Sequence, residues 1–240
     1  MLLTADVGNT SIKWGMFDRE RLAHHGRCAD APALAAAAPM DVTEAAVASV
    51  VPSMKDLVCK AVEQRFDVKV LVVGCDFHVK IENRCRVPER VGVDRLLNAL
   101  AAYDRSRGPC VIVDAGSAIT VDAVDAKGSF LGGAIVPGPE MQAHALHEHT
   151  ALLPFVPFAK PESALGQDTE QAIQSGLYWG GIGAVVELVR RISKHAGEHA
   201  EIFVTGGHGR LLASETMGLF TFDEHLTLRG IRLAWQARAH

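Results

Sequence analysis

The sequence predicts an α/β fold built from a duplicated domain, with one functional turn from each copy facing the other across a cleft. Two observations carry this. First, one pattern occurs twice: an apolar strand, Asp-x-Gly followed by Asn or Ser, a short polar turn and a second strand. The copies are Asp6-Val7-Gly8-Asn9-Thr10-Ser11-Ile12-Lys13 and Asp114-Ala115-Gly116-Ser117-Ala118-Ile119-Thr120-Val121-Asp122. Their leading aspartates stand a little over a hundred residues apart, about one domain length. Second, each copy opens a similar series of strands and helices. Chance likeness of two hairpins is the alternative, and the shared series argues against it.

The first copy begins with Leu2 and Leu3 leading into the turn and Trp14, Met16 and Phe17 leading out, a strand–turn–strand reading. Arg21–Cys28 follows as a third strand. Ala31–Ala38, bounded by Pro32 and Pro39, reads as a short helix or a loose linker. Ala45–Val51 is a strand ending at Pro52, and Ser53 is placed to cap a helix running to about Phe66. Lys69–Val73 is a buried strand closed by Gly74. The segment Phe77–Arg90 is irregular, charged and interrupted by Pro88. It leads into Gly92-Val93-Asp94-Arg95 and an amphipathic helix over Leu96–Tyr103, and Arg105–Pro109 closes the half.

The second copy restarts with Val111–Val113, turns at Asp114–Ser117 and continues through Ile119–Val124. Asp125-Ala126-Lys127-Gly128 is a hairpin turn before a strand over Phe130–Val136. Pro137-Gly138-Pro139 starts a helix near Glu140, and Leu152–Pro161 is a proline-rich loop. Thr169–His195 is mostly helical, with Gly176, Gly180, Gly181 and Gly183 near its start. Ile202–Val204 is a strand ending in Thr205-Gly206-Gly207. A short helix, a last strand over Leu219–Phe222 and a helix from about Glu224 complete the order. The domains are therefore placed at 1–107 and 108–240.

Composition bounds the function. Of the 240 residues 48% are hydrophobic and 22% charged, enough for buried cores and against general disorder. The net charge of −4, with no basic run, gives no reason to expect a nucleic acid or an acidic membrane as partner. The five cysteines are odd in number, widely spaced and without a C-x-x-C, which predicts reduced thiols in a cytoplasmic protein. Asp6 interrupts the apolar start and no basic segment precedes it, so no signal peptide is expected, and no apolar run has transmembrane length.

The Asp6–Lys13 turn gathers a carboxylate, a glycine, an amide, two hydroxyls and a lysine, groups suited to polyphosphate. Gly8 lets the backbone pass close to a phosphate, and turn amides form an anion-binding concavity. Thr10 and Ser11 add hydroxyl donors, Lys13 a point charge, and Asp6 a ligand for Mg²⁺ directly or through water. An ordinary polar hairpin is the other reading. Asp94 falls where a helix N-cap belongs, which explains it without function. Capping does not explain Arg95 or the irregular segment before it. An aspartate can take the proton of a hydroxyl, and an arginine can grip a carboxylate through two parallel hydrogen bonds.

Other motifs carry less. His144, His147 and His149 fit neither H-E-x-x-H nor H-x-x-E-H and read as structural. Gly181-Ile182-Gly183 begins like a dinucleotide fingerprint, but Val186 takes the third glycine position and no strand leads in. Thr205-Gly206-Gly207 suits a nucleotide lying against the backbone, or a generic strand-to-helix turn. The absence of G-x-x-x-x-G-K-[ST] and G-x-S-x-G removes Walker-type NTPases and α/β-hydrolases.

Taken in order, these motifs resemble one family. Asp6-x-Gly8-Asn9-Thr10 with Lys13, Gly92-x-Asp94-Arg95, Asp114-x-Gly116-Ser117-Ala118, Gly132-Gly133 with Pro137-Gly138, Thr169 ahead of Gln174-Ser175-Gly176, Thr205-Gly206-Gly207 and Leu226-Thr227-Leu228-Arg229-Gly230 occur as in type III pantothenate kinases, over essentially the whole chain. The resemblance implies two ribonuclease-H-like domains of the actin-like, acetate-and-sugar-kinase fold. It implies phosphorylation of pantothenate by ATP, the first step of coenzyme A synthesis, in a cytoplasmic homodimer. By the same resemblance Asp6, Val7, Gly8, Asn9, Thr10, Ser11, Ile12, Lys13 and Ser117 bind ATP. Gly92, Val93, Asp94, Arg95 and Thr169 line the pantothenate site, with Thr169 near the dimer interface. The resemblance also implies that Asp94 accepts the hydroxyl proton and that Asp114 holds a monovalent cation (K⁺ or NH₄⁺). For the Mg²⁺ that accompanies ATP, Asp6 is the candidate ligand read from the turn itself.

Four positions depart from the family pattern. Ser117 stands for threonine and keeps the hydroxyl. Asp168 stands where asparagine is frequent, His208 where aspartate is usual, and Cys85 where a tyrosine commonly forms part of the pantothenate pocket. Cys85 leaves open a kinase of another small hydroxy-carboxylate, and a non-catalytic regulatory relative is the third reading. Retention of Asp6, Lys13, Asp94, Arg95 and Asp114 argues against the latter.

Overall fold

Two five-stranded mixed sheets repeat one strand order in the computed structural model, which describes residues Met1–Arg238. The first half runs β1 (Leu2–Val7), β2 (Ile12–Asp18), β3 (Arg21–Cys28), α1 (Ala31–Ala37), β4 (Glu44–Ser49), α2 (Pro52–Phe66) and β5 (Val70–Val72). A 3₁₀ turn at Pro88–Arg90 then precedes α3 (Val93–Ser106). The second half opens with β6 (Cys110–Ala115), β7 (Ala118–Val124), β8 (Phe130–Pro137) and α4 (Pro139–Glu148). It continues with α5 (Thr169–Ser175), a π-helical turn (Gly176–Gly180), α6 (Gly181–Ala196), β9 (Glu201–Thr205), α7 (Gly209–Glu215), β10 (Thr221–Phe222) and α8 (Leu226–Ala237). The sheet orders are β3-β2-β1-β4-β5 and β10-β9-β6-β7-β8. Read in reverse, the second places β6 where the first has β1. Both central strands pair antiparallel with the next strand in sequence, β1 with β2 and β6 with β7. Both pair parallel with the strand that follows a helical crossover, β4 and β9.

Packing divides the chain into two units. One holds Met1–Arg107, Gly128–Phe130 and the segment from His225, the other Gly108–Lys127 and Leu131–Glu224. Helix α8 thus belongs to the first unit although it ends the chain. It lies against α3, where a Cβ on Gly230 would run into the Leu97 backbone.

Strand alternation decides which side each functional residue takes. In β1, Leu3, Ala5 and Val7 face a core with Leu34 of α1 and Val58 and Val62 of α2. Leu2 and its even-numbered neighbours face the other way, toward Leu97 of α3 and Leu228 and Ile231 of α8. Asp6 therefore sits on the α3/α8 face, at the end of its strand. In β6, Val111, Val113 and Ala115 pack on Val185 and Val189 of α6, which leaves Asp114 on the opposite face with Ile112.

Several boundaries differ from the sequence expectation. The cap of α2 is Val51, with Pro52 at the first helical position, because proline's fixed φ already suits a helix start. The Ser49 hydroxyl, not Ser53, accepts the Val51 N–H at 2.9 Å. Ala31–Ala37 is a helix and not a linker, since the Asp30 carboxylate accepts the Ala33 N–H at 2.8 Å. The last strand shortens to Thr221–Phe222, and Leu219 stands 74% exposed.

Candidate active site

In the first unit the opening hairpin presents its polar groups at one end of β1 and β2. Asp6 and Lys13 are direct Cα partners across this antiparallel ladder, so opposite charges share a face. The Gly8 N–H donates to the Ser11 carbonyl at 3.2 Å and closes the turn, while Asn9 and Thr10 stand exposed. The Val7 and Ile12 side chains are buried in the core, at 0% and 1% exposure. Any contact these two make with a ligand comes from their backbone. A Cβ on Gly8 would meet nothing nearer than the Ser11 carbonyl oxygen at 3.5 Å, an ordinary contact. The packing of the fold does not itself require glycine there.

Helix α3 begins at Val93, three residues earlier than its pattern suggests, because the Gly92 carbonyl accepts from both Arg95 N–H (3.2 Å) and Leu96 N–H (3.4 Å). Gly92 is therefore the cap, and Asp94 lies inside the first turn instead of capping it. The Asp94 Oδ1 accepts the Arg95 N–H at 2.9 Å. A carboxylate here is favoured by the positive end of the helix dipole. Val93 packs on the cluster that contains Ala48, and Ala48 is the parallel ladder partner of Asp6. The structure thus brings Asp6 and the Asp94 turn to the same face of one sheet.

The segment before α3 is tied down by residues 128–130. The Phe130 N–H donates to the Glu82 carbonyl at 2.7 Å, and the Arg84 N–H to the Phe130 carbonyl at 2.9 Å. The Ser129 hydroxyl donates to Glu82 Oε2 at 2.7 Å. The fully buried Phe130 ring lies beneath the Arg95 guanidinium, with Cζ 5.6 Å from the ring centroid. Cys85 is half-buried in this segment, and its N–H donates to Asn83 Oδ1 at 3.0 Å. Nothing in the sequence marks Phe130 as a support for Arg95, since the two meet only through tertiary packing.

In the second unit Asp114 occupies the position of Asp6. Its ladder partners are Thr120 on β7 and Thr205 on β9. The Gly116 N–H donates to the Ala118 carbonyl at 3.1 Å, and exposed Ser117 accepts the Gly138 N–H on its carbonyl at 3.0 Å. Gly206, at φ +91°, folds its backbone against Ala115, where a Cβ would come within 2.5 Å of the Ala115 oxygen. The Thr205-Gly206-Gly207 turn is thereby clasped onto the end of β6, and the His208 N–H donates to the Ala115 carbonyl at 2.9 Å.

Thr169 is exposed at the start of α5, and the Asp168 carboxylate caps that helix by accepting the Gln171 N–H at 2.8 Å. Asparagine caps equally well, which accounts for either residue at 168. His208 Nε2 lies 3.0 Å from Glu140 Oε2, and its ring meets Phe158 edge-on. Phe158 in turn stacks on Tyr178. Lys160 Nζ and the Tyr178 hydroxyl both donate to Glu215 Oε1 at 2.7 Å, and they hold the Glu215 carboxyl below the ordinary carboxylate range. Sequence reading missed this aromatic and ionic cluster. His147 Nδ1 lies 3.0 Å from the Leu153 carbonyl, and His144 lies 3.7 Å from Glu148. Among the described residues no group of three or more His, Cys, Asp or Glu side chains gathers to hold a metal.

Two sheets of one topology, each with an Asp-x-Gly turn at the end of its central strand, define the class. This is the actin-like ATPase and sugar-kinase fold of two ribonuclease-H-like domains. The structure of a putative 2-dehydro-3-deoxygalactonokinase from Sinorhizobium meliloti superposes with TM-score 0.59 at 14% identity, covering 99% of both chains. A putative Baf family transcriptional activator from Campylobacter jejuni superposes at 0.63 with 21% identity, over 99% of this chain and 98% of that one. Within that class, the profile of type III pantothenate kinase matches residues 2–191. The type III pantothenate kinase of Agathobacter rectalis is 32% identical over 98% of this chain and 97% of its own. The chain belongs to the type III pantothenate kinase family.

Proposed function

We propose that Asp94 is the proton acceptor and that Asp6–Lys13 and Ser117 hold the ATP phosphates in the reaction this chain performs. As a member of its family it phosphorylates pantothenate with ATP, the first step of coenzyme A biosynthesis. The observation that carries the residue assignment is the placement of the Asp94 turn and Asp6 on one face of the first sheet. Phosphoryl transfer depends mainly on alignment and charge neutralisation. The pantothenate hydroxyl oxygen forms the new bond to the γ-phosphorus as the bond to the β–γ bridging oxygen breaks, and ADP leaves. Asp94 orients that hydroxyl and takes its proton late. Arg95, seated on Phe130, grips the pantothenate carboxylate. Gly92 and Val93 complete the wall beside it, and Thr169 contacts pantothenate from near a subunit interface.

Lys13 and the amides and hydroxyls of Gly8, Asn9, Thr10 and Ser11 neutralise the phosphates, with Val7 and Ile12 contributing backbone. Asp6 would hold the Mg²⁺ that accompanies ATP, directly or through water, and the ion would supply positive charge against the phosphates. Asp114 would hold a monovalent cation, between its ladder partners Thr120 and Thr205. A homodimer is supported by the open helical face of Gly176, Gly180 and Gly183, where an added Cβ would meet nothing within 4 Å, next to the exposed Trp179. A cytoplasmic location is supported by five cysteines that are all free thiols. No helix among the described residues is long and apolar enough to cross a membrane.

The test is ADP release by purified protein with and without pantothenate, in K⁺ and in Na⁺. Turnover that needs pantothenate and prefers K⁺ is expected. ADP release indifferent to pantothenate, or none at all, would overturn the reading.

A further inference from the structure

The two Asp-x-Gly turns differ in what flanks the carboxylate. In the first unit the row across the sheet is Lys13–Asp6–Ala48. In the second it is Thr120–Asp114–Thr205. Ladder partners project to the same face a few ångströms apart. Asp6 therefore has a lysine as its ladder partner, and Asp114 has a threonine on each side. The Thr205 side chain is 0% exposed, and its Oγ1 has no hydrogen-bond partner. An unpaired buried hydroxyl is destabilising and is rare unless something absent from the chain satisfies it.

A large monovalent cation is such a group. It is bound by oxygen atoms, mostly neutral ones, with little net negative charge. One carboxylate between two hydroxyls meets that description, whereas a carboxylate facing a lysine does not. We propose that Thr205 Oγ1 is a direct ligand of the cation at Asp114, with Thr120 completing the row from the other side. The proposal rests on the reading that Asp114 holds the cation, and it explains why this turn, not that of Asp6, takes it. The clasp of Gly206 on Ala115 gives Thr205 a fixed place beside Asp114.

The test is the melting temperature of Thr205→Val, Thr205→Ser, Asp114→Asn and the unaltered chain, titrated with KCl against choline chloride at constant ionic strength. Mg²⁺ and a non-hydrolysable ATP analogue are present throughout. Valine matches threonine in shape and replaces the unpaired hydroxyl with a methyl group. In choline Thr205→Val melts at or above the unaltered chain. In K⁺ the order reverses, because the variant requires at least about tenfold more K⁺ for the same shift. Thr205→Ser keeps the K⁺ response, and Asp114→Asn loses it. If Thr205→Val keeps the full K⁺ response, or melts lower by the same amount in both salts, Thr205 is structural and the proposal fails while the Asp114 reading stands. If the unaltered chain shows no K⁺-specific shift, both fail, whatever its rate of turnover.

Discussion

A Cβ on Gly92 would stand 2.5 Å from Oδ1 of Asp94, well inside van der Waals contact. The carboxylate of the proposed proton acceptor occupies space that only glycine leaves open. The φ of Gly92 is −56°, which alanine tolerates, so the backbone does not oppose the substitution. The carboxylate is the part that must move. Gly92→Ala is expected to lower kcat by on the order of 10- to 100-fold, the cost of misplacing a reacting group by about an ångström. Its melting temperature should equal or exceed that of the unaltered chain, because alanine restricts the unfolded state more than glycine does. A parallel loss of stability and activity would mark the position as structural only.

Gly8 offers the complementary case. Its Cβ space is open within the protein, so Gly8→Ala should fold with stability within about 1 kcal/mol of the original. In the proposed mechanism a methyl group there meets the nucleotide. The expected result is a KM for ATP raised about tenfold or more, equivalent to about 1.4 kcal/mol, with the pantothenate KM little changed. Steady-state kinetics in both substrates check this.

Phe130 supports Arg95 without touching substrate in the proposed mechanism. Phe130→Leu keeps an apolar group in the buried site and removes the aromatic face under the guanidinium, a contact worth about 0.5–2 kcal/mol. The pantothenate KM should rise roughly 3- to 10-fold, with kcat within about twofold, if Arg95 serves binding and not chemistry. A fall in kcat at unchanged KM would contradict this division of roles.

Cys59 tests the burial of α2. Burial pushes its thiol up to about 11, foremost among its causes. The fold favours the neutral thiol, so this contribution to stability is complete below the ordinary thiol value near 9.0 and is lost as pH rises through about 11. Cys59→Ala should therefore flatten the decline of the urea midpoint between those pH values. At pH 8, thiol reagents should modify exposed Cys75 well before Cys59. Equal slopes in the two proteins would contradict the assignment.

The parts of this molecule legible in its sequence are local ones. Apolar runs broken by Asp-x-Gly mark both central hairpins, and the repeated series of elements marks the duplication. Asp94 and Arg95 stood out because a helix start does not need an arginine. Contacts between distant segments were hidden. Thr205 lies beside Asp114, and Phe130 beneath Arg95, only once sheet register and packing are set, and neither pairing leaves a local pattern. Helix starts are hard to read where a polar residue lies just inside the true cap, as Ser53 does behind Val51 and Asp94 behind Gly92. The end of the chain looked like part of the second domain, yet α8 buries Leu228 and Ile231 in the first. The apolar face of a helix does not say which sheet it will cover.

The most direct measurement is single-turnover phosphorylation by Asp94→Asn, with ATP and pantothenate saturating and folding verified by an unchanged melting curve. Asparagine keeps the size and the hydrogen bond to the Arg95 N–H but cannot accept the proton. The account predicts a rate lowered by at least about 10²-fold with both substrates still bound. A rate near that of the unaltered chain would contradict it.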